Sequence, residues 1–275
     1  MTAPAETHPL DLLFAQSAGA ADIEIPAGWG QGRATFGGLV AGVLIARGLG
    51  AYDLDGGTLR AATISFVAPV AAGPARLESE LLRRGTSVTQ VEIRLRQHDP
   101  RTGEDAVAAV MLASFGTERE SSVELPRPTP TAIASPDADL PEIPYLPGIV
   151  PDFFTHVRMR LARGRVPFSG APDGDLAGFM SFRNPPAAMT LPHVIALIDA
   201  WPPAPGQMLR RPAAMGTLTW TIEMLADPAA YGNQEWWYEV RTDAAHHGYA
   251  HSHATVFTPA GEAVAISRQT ITIFG

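Results

Sequence analysis

Residues 58–69 (TLRAATISFVAP) and 217–228 (TLTWTIEMLADP) of this 275-residue sequence align with each other without a gap. They share the opening Thr-Leu and the closing Pro at an offset of 159 residues, and Gly73 falls on Gly232 at the same offset. After removal of one residue, Gly103 falls on Gly261. A constant spacing of turns over half a chain indicates two copies of one folding unit. The fold of one copy therefore constrains the fold of the whole chain.

Each copy has the pattern of a helix followed by strands. In the first, an apolar helix at 39–50 precedes alternating, β-branched segments at 58–67, 75–83, 87–97 and 105–115, with a turn at 99–103. In the second, a helix that ends at Trp201 precedes strands at 216–225, 234–241, 250–257 and 262–274. Strands are also predicted before the helices, at 21–26, 153–161 and 178–182, after a short polar start.

Residues 117–151 separate the two copies and contain eight of the 25 prolines, which favours an extended linker on the surface. We therefore expect a first unit at 1–116 and a second at 152–275. The predicted class is α+β, in which each helix packs on its own antiparallel sheet. Joining the two sheets edge to edge would remove two exposed edge strands and give one continuous sheet.

Composition limits the classes of function. The chain has 46% hydrophobic residues, a formal charge of −8 and no dense run among its basic residues, all of which are Arg. This argues against a nucleic-acid partner. Cysteine is absent, which excludes disulfides, thiolate metal sites and a Cys nucleophile. The start lacks the features of a secretory signal, and the apolar run at 36–49 is too short to span a bilayer, so we expect a cytoplasmic protein without a membrane span.

A carboxylate lies in the second predicted helix, where the pattern is otherwise apolar. Thr190 can cap this helix, Pro202 stops it, and apolar residues recur at helical spacing between them. Asp199 lies about 40° around the helix from Ile195 and so borders the buried face. Two interpretations are open, a functional acid or an Asp at a helix end held by local backbone groups.

Two polar residues on later strands are further candidates. Regular alternation places Thr217 on one face with Thr219 and Thr221, and Gln269 on a face with apolar residues such as Ile271. The amide of Gln269 is therefore expected to be buried and to need hydrogen-bond partners. Taken alone, each also fits an ordinary role, a strand threonine or a satisfied core amide.

Six features occur in a fixed order along the chain outside the linker: RATFGGLVAGVLIA at 33–46, RRGTSVTQVEIRLRQ at 83–97, VAAVMLASF at 107–115, FMSFR at 179–183, IALIDAWPP at 195–203, and Gln269. In order and spacing they resemble the acyl-coenzyme A thioesterase II family of double-hotdog proteins. The resemblance implies a double hotdog fold and hydrolysis of an acyl-coenzyme A (acyl-CoA) thioester by direct attack of water, without a metal or a cofactor.

The resemblance also implies site residues. An Asp on the second central helix, a Thr on the following strand and a Gln on the last strand would hold the attacking water, and these match Asp199, Thr217 and Gln269. Thr219 offers an alternative hydroxyl two residues further along. Asp199 would act as the base or orient the water, and Thr217 and Gln269 would position the water.

The repeat adds an argument of its own about the number of sites. At the repeat offset Asp199 falls on Val40 and Gln269 on Val110, although Thr217 falls on Thr58. Only the second copy therefore keeps the polar set, and we expect one active site per chain.

The first copy would supply the opposite wall, where we expect Phe36, Gly37 and Gly38 to contact the substrate. The start of the first helix offers backbone N–H groups and the positive end of a helix dipole to the carbonyl oxygen of the thioester. Tight packing of helix on sheet explains these glycines equally well. Candidates for the CoA phosphates are arginines that also fit a solvated surface, namely Arg33, Arg83, Arg84 and Arg183.

Other classes of function are less consistent with the sequence. The G-x-S-x-G motif of α/β-hydrolases is absent. HHGYAHSH at 246–253 has no obvious acidic partner for a metal site. A hotdog hydratase or dehydratase would need a His close to Asp199, whereas His193 lies on a different part of that helix. A non-catalytic acyl-thioester binding or scaffold protein would not need the polar set. Acyl chain length, and whether double-hotdog units form a homo-oligomer, stay open.

Overall fold

The computed structural model describes residues 8–99 and 102–275. Its helices are α1 (Pro9–Gly19), α2 (Gly37–Ala51) and α3 (Leu191–Ile198). The strands of the first half are β1 (Asp22–Ile25), β2 (Gly30–Gln31), β3 (Ala34–Thr35), β4 (Thr58–Phe66), β5 (Gly73–Arg84), β6 (Val88–Asp99) and β7 (Glu104–Gly116). Those of the second half are β8 (Val157–Arg163), β9 (Leu176–Phe182), β10 (Met215–Met224), β11 (Trp236–His246), β12 (Tyr249–Phe257) and β13 (Ala263–Ile273).

All strands except the short β2–β3 hairpin form one antiparallel sheet, in the order β1-β5-β6-β7-β4-β10-β13-β12-β11-β9-β8. The halves join at β4 and β10, where Thr63 pairs with Thr221 and their hydroxyl oxygens are 3.1 Å apart. Because β4 and β10 hold the same place in their copies, an approximate two-fold axis passes near this pair. The predicted α+β class, with two units in one continuous sheet, is confirmed.

The helices α2 and α3 lie antiparallel to each other on one side of the sheet. A Cβ atom on Gly38 would collide with the carbonyl oxygen of Ala196, and one on Gly42 would lie 3.0 Å from that of Pro192. Glycine at these two positions therefore lets the helices approach closely. Nearly all of α2 is buried, as its continuous apolar sequence predicts. Within the two described ranges, no helix has both the length and the apolar character needed to cross a membrane.

Helix α1 was not predicted, since the chain start was interpreted as a polar segment. Pro9 occupies the first turn and the ring of His8 accepts a hydrogen bond from Leu10 N–H, so the helix has a regular start. Leu10, Leu13 and Phe14 are buried, and Phe14 approaches Gly42 of α2. The predicted turn at 99–103 includes Pro100 and Arg101, which lie outside the described residues. Across it, Gly103 N–H donates to the carbonyl of Asp99 at 2.8 Å.

The segment 117–151 crosses the face of the second half that is opposite to α3. Among its described residues, the only pairing with the sheet is a single bridge between Glu142 and Arg160. Ile133, Ala134 and Leu140 of this segment pack on a second, smaller core, which contains Phe179, Trp237 and Phe257. The linker therefore covers an apolar sheet face that would otherwise be exposed to water.

Candidate active site

A cleft of about 440 Å³ opens where the first residues of α2, the end of α3 and the strands β10 and β13 meet. Its walls are largely apolar, and its polar residues include Asp199, Thr217 and Gln269, which come from three separate elements of the second half. Val67 and Phe274 lie at the rim and are 60% and 75% exposed. An apolar cleft with a small convergent polar set is typical of a site for a small-molecule ligand.

The position of Asp199 follows from where α3 stops. The helix ends at Ile198 and not at Trp201, so the predicted end was wrong by three residues. Asp199 is the residue after the last helical turn, with φ −83° and ψ 1°. Pro202 and Pro203 follow and cannot continue the helix. The carboxylate consequently lies beyond the end of the helix and lines the cleft.

Three groups surround the carboxylate of Asp199. Gln269 Nε2 donates a hydrogen bond to Asp199 Oδ1 at 2.7 Å. The backbone N–H of Gly38 donates a second hydrogen bond to the carboxylate. A Cβ atom on Gly37 would lie 2.8 Å from Asp199 Oδ2, so a glycine is needed there for the carboxylate to reach α2. The acid therefore bridges the two copies of the repeat.

Burial raises the pKa of Asp199 to about 7, against the lowering effect of the hydrogen bonds from Gln269 and from Gly38 N–H. Desolvation disfavours the charged form of an acid, and here it outweighs two donors that favour it. An acid with a pKa near neutrality can accept and return a proton under physiological conditions. A carboxyl group with a perturbed pKa in a cleft is typical of a catalytic site.

A β-bulge places Thr217 in the cleft. Thr217 pairs with Ile271 and Thr219 with Thr270, so that Leu218 is left without a partner on β13. The extra residue shifts the alternation, and Thr217 takes the same face as the buried Trp220. The prediction that Thr217 and Thr219 share a face was therefore wrong. Of these two hydroxyls, only that of Thr217 belongs to a residue of the cleft lining.

The first copy carries a bulge of its own, which corrects the register of the repeat. Arg60 of β4 is left without a partner on β7, 158 residues before Leu218. Structurally, Leu59 therefore takes the place of Thr217, and Thr58 does not. In the same way Ala113, which pairs with Ala62, takes the place of Gln269, which pairs with Trp220.

The helices follow a third offset. Their first residues, Gly37 and Leu191, are 154 positions apart. Ile45 of α2 is therefore the position equivalent to Asp199 in the first copy. The match of Asp199 to Val40 was therefore wrong, because it applied one offset to all elements. Ile45, Leu59 and Ala113 are all apolar, so the polar set occurs in one copy.

The three residues expected to contact the substrate have different surroundings. Gly37 lines the cleft. Gly38 is buried, and its N–H donates to Asp199. Phe36 is fully buried, with its ring stacked on Phe153 at a centroid distance of 4.1 Å. Phe36 therefore packs in the core beneath the start of α2 and is not part of the cleft lining.

Of the four arginines considered for CoA phosphates, Arg33 lies beside the cleft. It is exposed in the β2–β3 turn, and its neighbours Gln31 and Ala34 line the cleft. Arg84 donates to the carbonyl of Asp53, and Arg183 donates to Glu142 and to the carbonyl of Phe154. Arg83 is exposed at a different surface on β5.

A buried polar chain, which the sequence did not point to, lies below the carboxylate. Trp220 Nε1–H donates to Ser267 Oγ at 2.8 Å, and Ser267 hydrogen-bonds to the hydroxyl of Tyr238. Burial and the charge of Asp199 raise the pKa of Tyr238 above its usual range. The ring of Tyr238 stacks on Trp201, two residues after Asp199. From the sequence, the alternation of residues in the last strand predicted only that Ser267 and Gln269 share a face.

The histidines do not supply a proton carrier to the cleft. None of the described residues that line it is a His. His193 is buried against Asp11 and Phe14 of α1, and burial lowers its pKa to about 4. His253 pairs with Asp243 at 2.8 Å on the strands β12 and β11. Over the described ranges, no group of three or more His, Cys, Asp or Glu side chains has the geometry of a metal site.

Family models match two parts of the chain. The model described as the N-terminal domain of acyl-CoA thioesterases matches residues 25–116. The model described as the C-terminal domain of acyl-CoA thioesterases matches residues 130–273. Both matched ranges include residues of the cleft. None of the curated proteins compared with the chain matches it.

Solved structures share the architecture over most of the chain. A conserved protein with a hot dog fold from Alicyclobacillus acidocaldarius has a TM-score of 0.82 and 24% identity, over 98% of this chain and 99% of its own. Acyl-CoA thioesterase II TesB2 from Mycobacterium marinum has a TM-score of 0.69 and 21% identity, over 88% and 90%. The tesB protein of Mycobacterium avium subs paratuberculosis has a TM-score of 0.72 and 14% identity, over 98% and 100%. The predicted double hotdog fold is confirmed.

Proposed function

Because the chain belongs to the acyl-CoA thioesterase family, we propose that it hydrolyses an acyl-CoA thioester to a free acid and CoA in the cleft at Asp199. The observation that carries this proposal is the 2.7 Å hydrogen bond between Gln269 Nε2 and Asp199 Oδ1, made in an apolar cleft that Thr217 also lines. These three residues lie far apart in the sequence and reach one site through separate elements.

In the proposed reaction, water is the nucleophile. Among the described residues that line the cleft there is no Ser, Cys or His to form a covalent intermediate. The Asp199 carboxylate takes a proton from the water while the oxygen of that water bonds to the thioester carbon. The C–S bond then breaks, the acyl group leaves as a carboxylic acid, and the proton returns to the thiolate sulfur of CoA. Gln269 fixes the carboxylate, and Thr217 orients the water by a hydrogen bond.

The first copy supplies the positive end of α2. We assign the N–H of Gly37 to the thioester carbonyl oxygen, because the first N–H groups of a helix have no partner within the helix. The N–H of Gly38 has a different task, since it already donates to Asp199. This separates two amides that sequence reasoning assigned to one role. We assign no substrate contact to Phe36, whose ring is buried in the core.

The test is thiol release from a panel of acyl-CoA esters, from short to long chains and aromatic acids, measured with a disulfide dye. The protein has no cysteine and adds no signal. We expect turnover by the wild type and a fall in kcat of about 100-fold or more for Asp199→Asn, since general-base catalysis contributes about 10²–10⁴. Asp243→Asn is the matched control, because Asp243 pairs with His253 on other strands and should not affect turnover.

Two outcomes would contradict the proposal. Equal turnover by the wild type and Asp199→Asn would remove Asp199 from the mechanism. Absence of turnover on every ester, with binding of acyl-CoA still measurable by calorimetry, would instead make the chain an acyl-thioester binding protein.

A further inference from the structure

The approximate two-fold axis generates a second cleft, of about 290 Å³, at the opposite end of the α2–α3 pair. Many of its lining residues occupy positions equivalent to lining residues of the first cleft. Leu59, Met224 and Ala226 of the second cleft lie 158 positions from Thr217, Phe66 and Ala68 of the first. At the offset of 154 that relates the two helices, Leu191 and Leu49 take the places of Gly37 and Pro203.

The second cleft is lined by apolar and polar side chains in similar measure, and it has no counterpart of the polar set of the first. Where the first cleft has Asp199, Thr217 and Gln269, the equivalent positions hold the side chains of Ile45, Leu59 and Ala113, all of which are buried. No carboxylate at these positions can take a proton from water. An apolar chain that enters the second cleft meets Leu and Met side chains, and the two acids of the lining, Glu118 and Asp227, are exposed.

Two arginines line the second cleft, whereas none of the described residues that line the first is an Arg. Arg60 occupies the bulge of β4, the position at which β10 has Leu218. Its Nε donates to the carbonyl of Gly116 at 3.0 Å, which fixes the side chain and leaves both terminal amino groups to bind an anion. Arg127 of the linker also lines the rim and is exposed.

Two acidic residues, Asp227 and Glu118, also line the second cleft. The carboxylate of Asp227 accepts the N–H of Ala229, which engages it in its own turn. Glu118 is the other acid that lines the second cleft, and it is exposed. The rim therefore carries two guanidinium groups and two carboxylates, and an anionic head group would bind through hydrogen bonds to Arg60 and Arg127 and not through an excess of positive charge.

We propose that the second cleft is a binding site for a ligand with an acyl chain and an anionic head group, which it holds without hydrolysis. The acyl chain lies against the Leu and Met side chains of the lining, and Arg60 and Arg127 bind the head group. Two molecules have this chemistry, the free fatty acid that the reaction releases and uncleaved acyl-CoA. The identity of these ligands rests on the proposed thioesterase activity, whereas the existence of a second site rests on the repeat.

The experiment measures binding stoichiometry by calorimetry with two probes, dodecanoate and S-dodecyl-coenzyme A, a thioether that cannot be hydrolysed. The repeat provides matched variants, because Ala226→Trp obstructs the second cleft and Ala68→Trp obstructs the first at the equivalent position. We expect two equivalents of one probe on the wild type, and one on each Trp variant. Ala226→Trp should keep thioesterase activity, and Ala68→Trp should lose it.

Arg60→Glu provides a second readout that does not depend on filling the cleft. We expect it to weaken the remaining binding to Ala68→Trp by tenfold or more, with the circular dichroism spectrum unchanged. Two equivalents with dodecanoate identify the product as the ligand, and two with the thioether identify the substrate. A single equivalent on the wild type, lost completely in Ala68→Trp, would overturn the inference. Thioesterase activity, assayed on the same samples, tests the proposed function separately.

Discussion

Asp199 lies where helix ends of opposite polarity meet. The end of α3 carries partial negative charge and disfavours a carboxylate, whereas the start of α2 carries partial positive charge and favours it. The backbone N–H of Gly38 lowers the pKa of Asp199, in the same direction as the start of α2. Loss of hydration exceeds both and leaves the pKa of Asp199 at about 7. The position of one residue between two helices thus sets the acidity of the site.

The pKa of Asp199 predicts the pH dependence of the reaction. Because the base must be ionised to accept a proton from water, kcat should rise with pH and level off above an apparent pKa of about 7. Steady-state kinetics between pH 5 and 9 with one good substrate would measure this. A rate that is constant over that range would show that Asp199 does not act as the base.

The same shift predicts an effect on stability. A carboxyl group whose pKa is raised from 3.8 to about 7 on folding destabilises the fold when ionised. The stabilising contribution of the protonated carboxyl group to the free energy of unfolding is therefore complete below about pH 4, and it is lost as the pH rises through about 7. The melting temperature of Asp199→Asn, compared with that of the wild type, should be relatively higher at pH 8 than at pH 5. An equal difference at both pH values would argue against the shift.

At the scale of elements, the bulge in β10 decides which hydroxyl enters the cleft. We predict that Thr217→Val lowers kcat by about tenfold, the equivalent of roughly one hydrogen bond. Thr219→Val is the matched control on the outer side of the bulge and should leave kcat unchanged. Kinetics of the two variants on one substrate would test this, and the opposite order of effects would move the role to Thr219.

The alternation of apolar residues predicted the strands of the large sheet, because each strand has one face in the core. The same period could not reveal the bulge, since one unpaired residue depends on the neighbouring strand β13. It also placed the end of α3 three residues too late, because Asp199, Ala200 and Trp201 fit the helical pattern although the chain has already left the helix. Asp199 and Gln269 were predicted from sequence as site residues, but their hydrogen bond depends on how the elements pack.

At the scale of the whole molecule, Arg160 holds the linker on the second half. It is 7% exposed and donates to Glu235 and to the carbonyls of Pro136 and Ala138. Its guanidinium also lies 5.0 Å from the ring centroid of Phe179. One side chain therefore joins the linker to the strand β8 and to the smaller core.

We predict that Arg160→Ala lowers the free energy of unfolding by about 2–4 kcal/mol, because it leaves two linker carbonyls without their donor and leaves Glu235 with only the exposed Arg158 as its cationic partner. Arg163→Ala is the control on the same strand, where Arg163 is exposed and pairs with Glu239, and should cost less than about 1 kcal/mol. Urea denaturation measures both, and kcat should not change in either. Equal losses would mean that Arg160 does not anchor the linker.

The joining of the two copies in one chain has a consequence for substitution. In a dimer of identical chains, a change at one cleft appears at the other as well, because symmetry copies it. Here the strands β4 and β10 meet as they would across a dimer axis, yet each is encoded separately. Ile45 and Asp199 can therefore differ while the frame around them stays the same. Because the two copies are linked in one chain, substitutions can change one cleft without changing the other, and the shared sheet is kept.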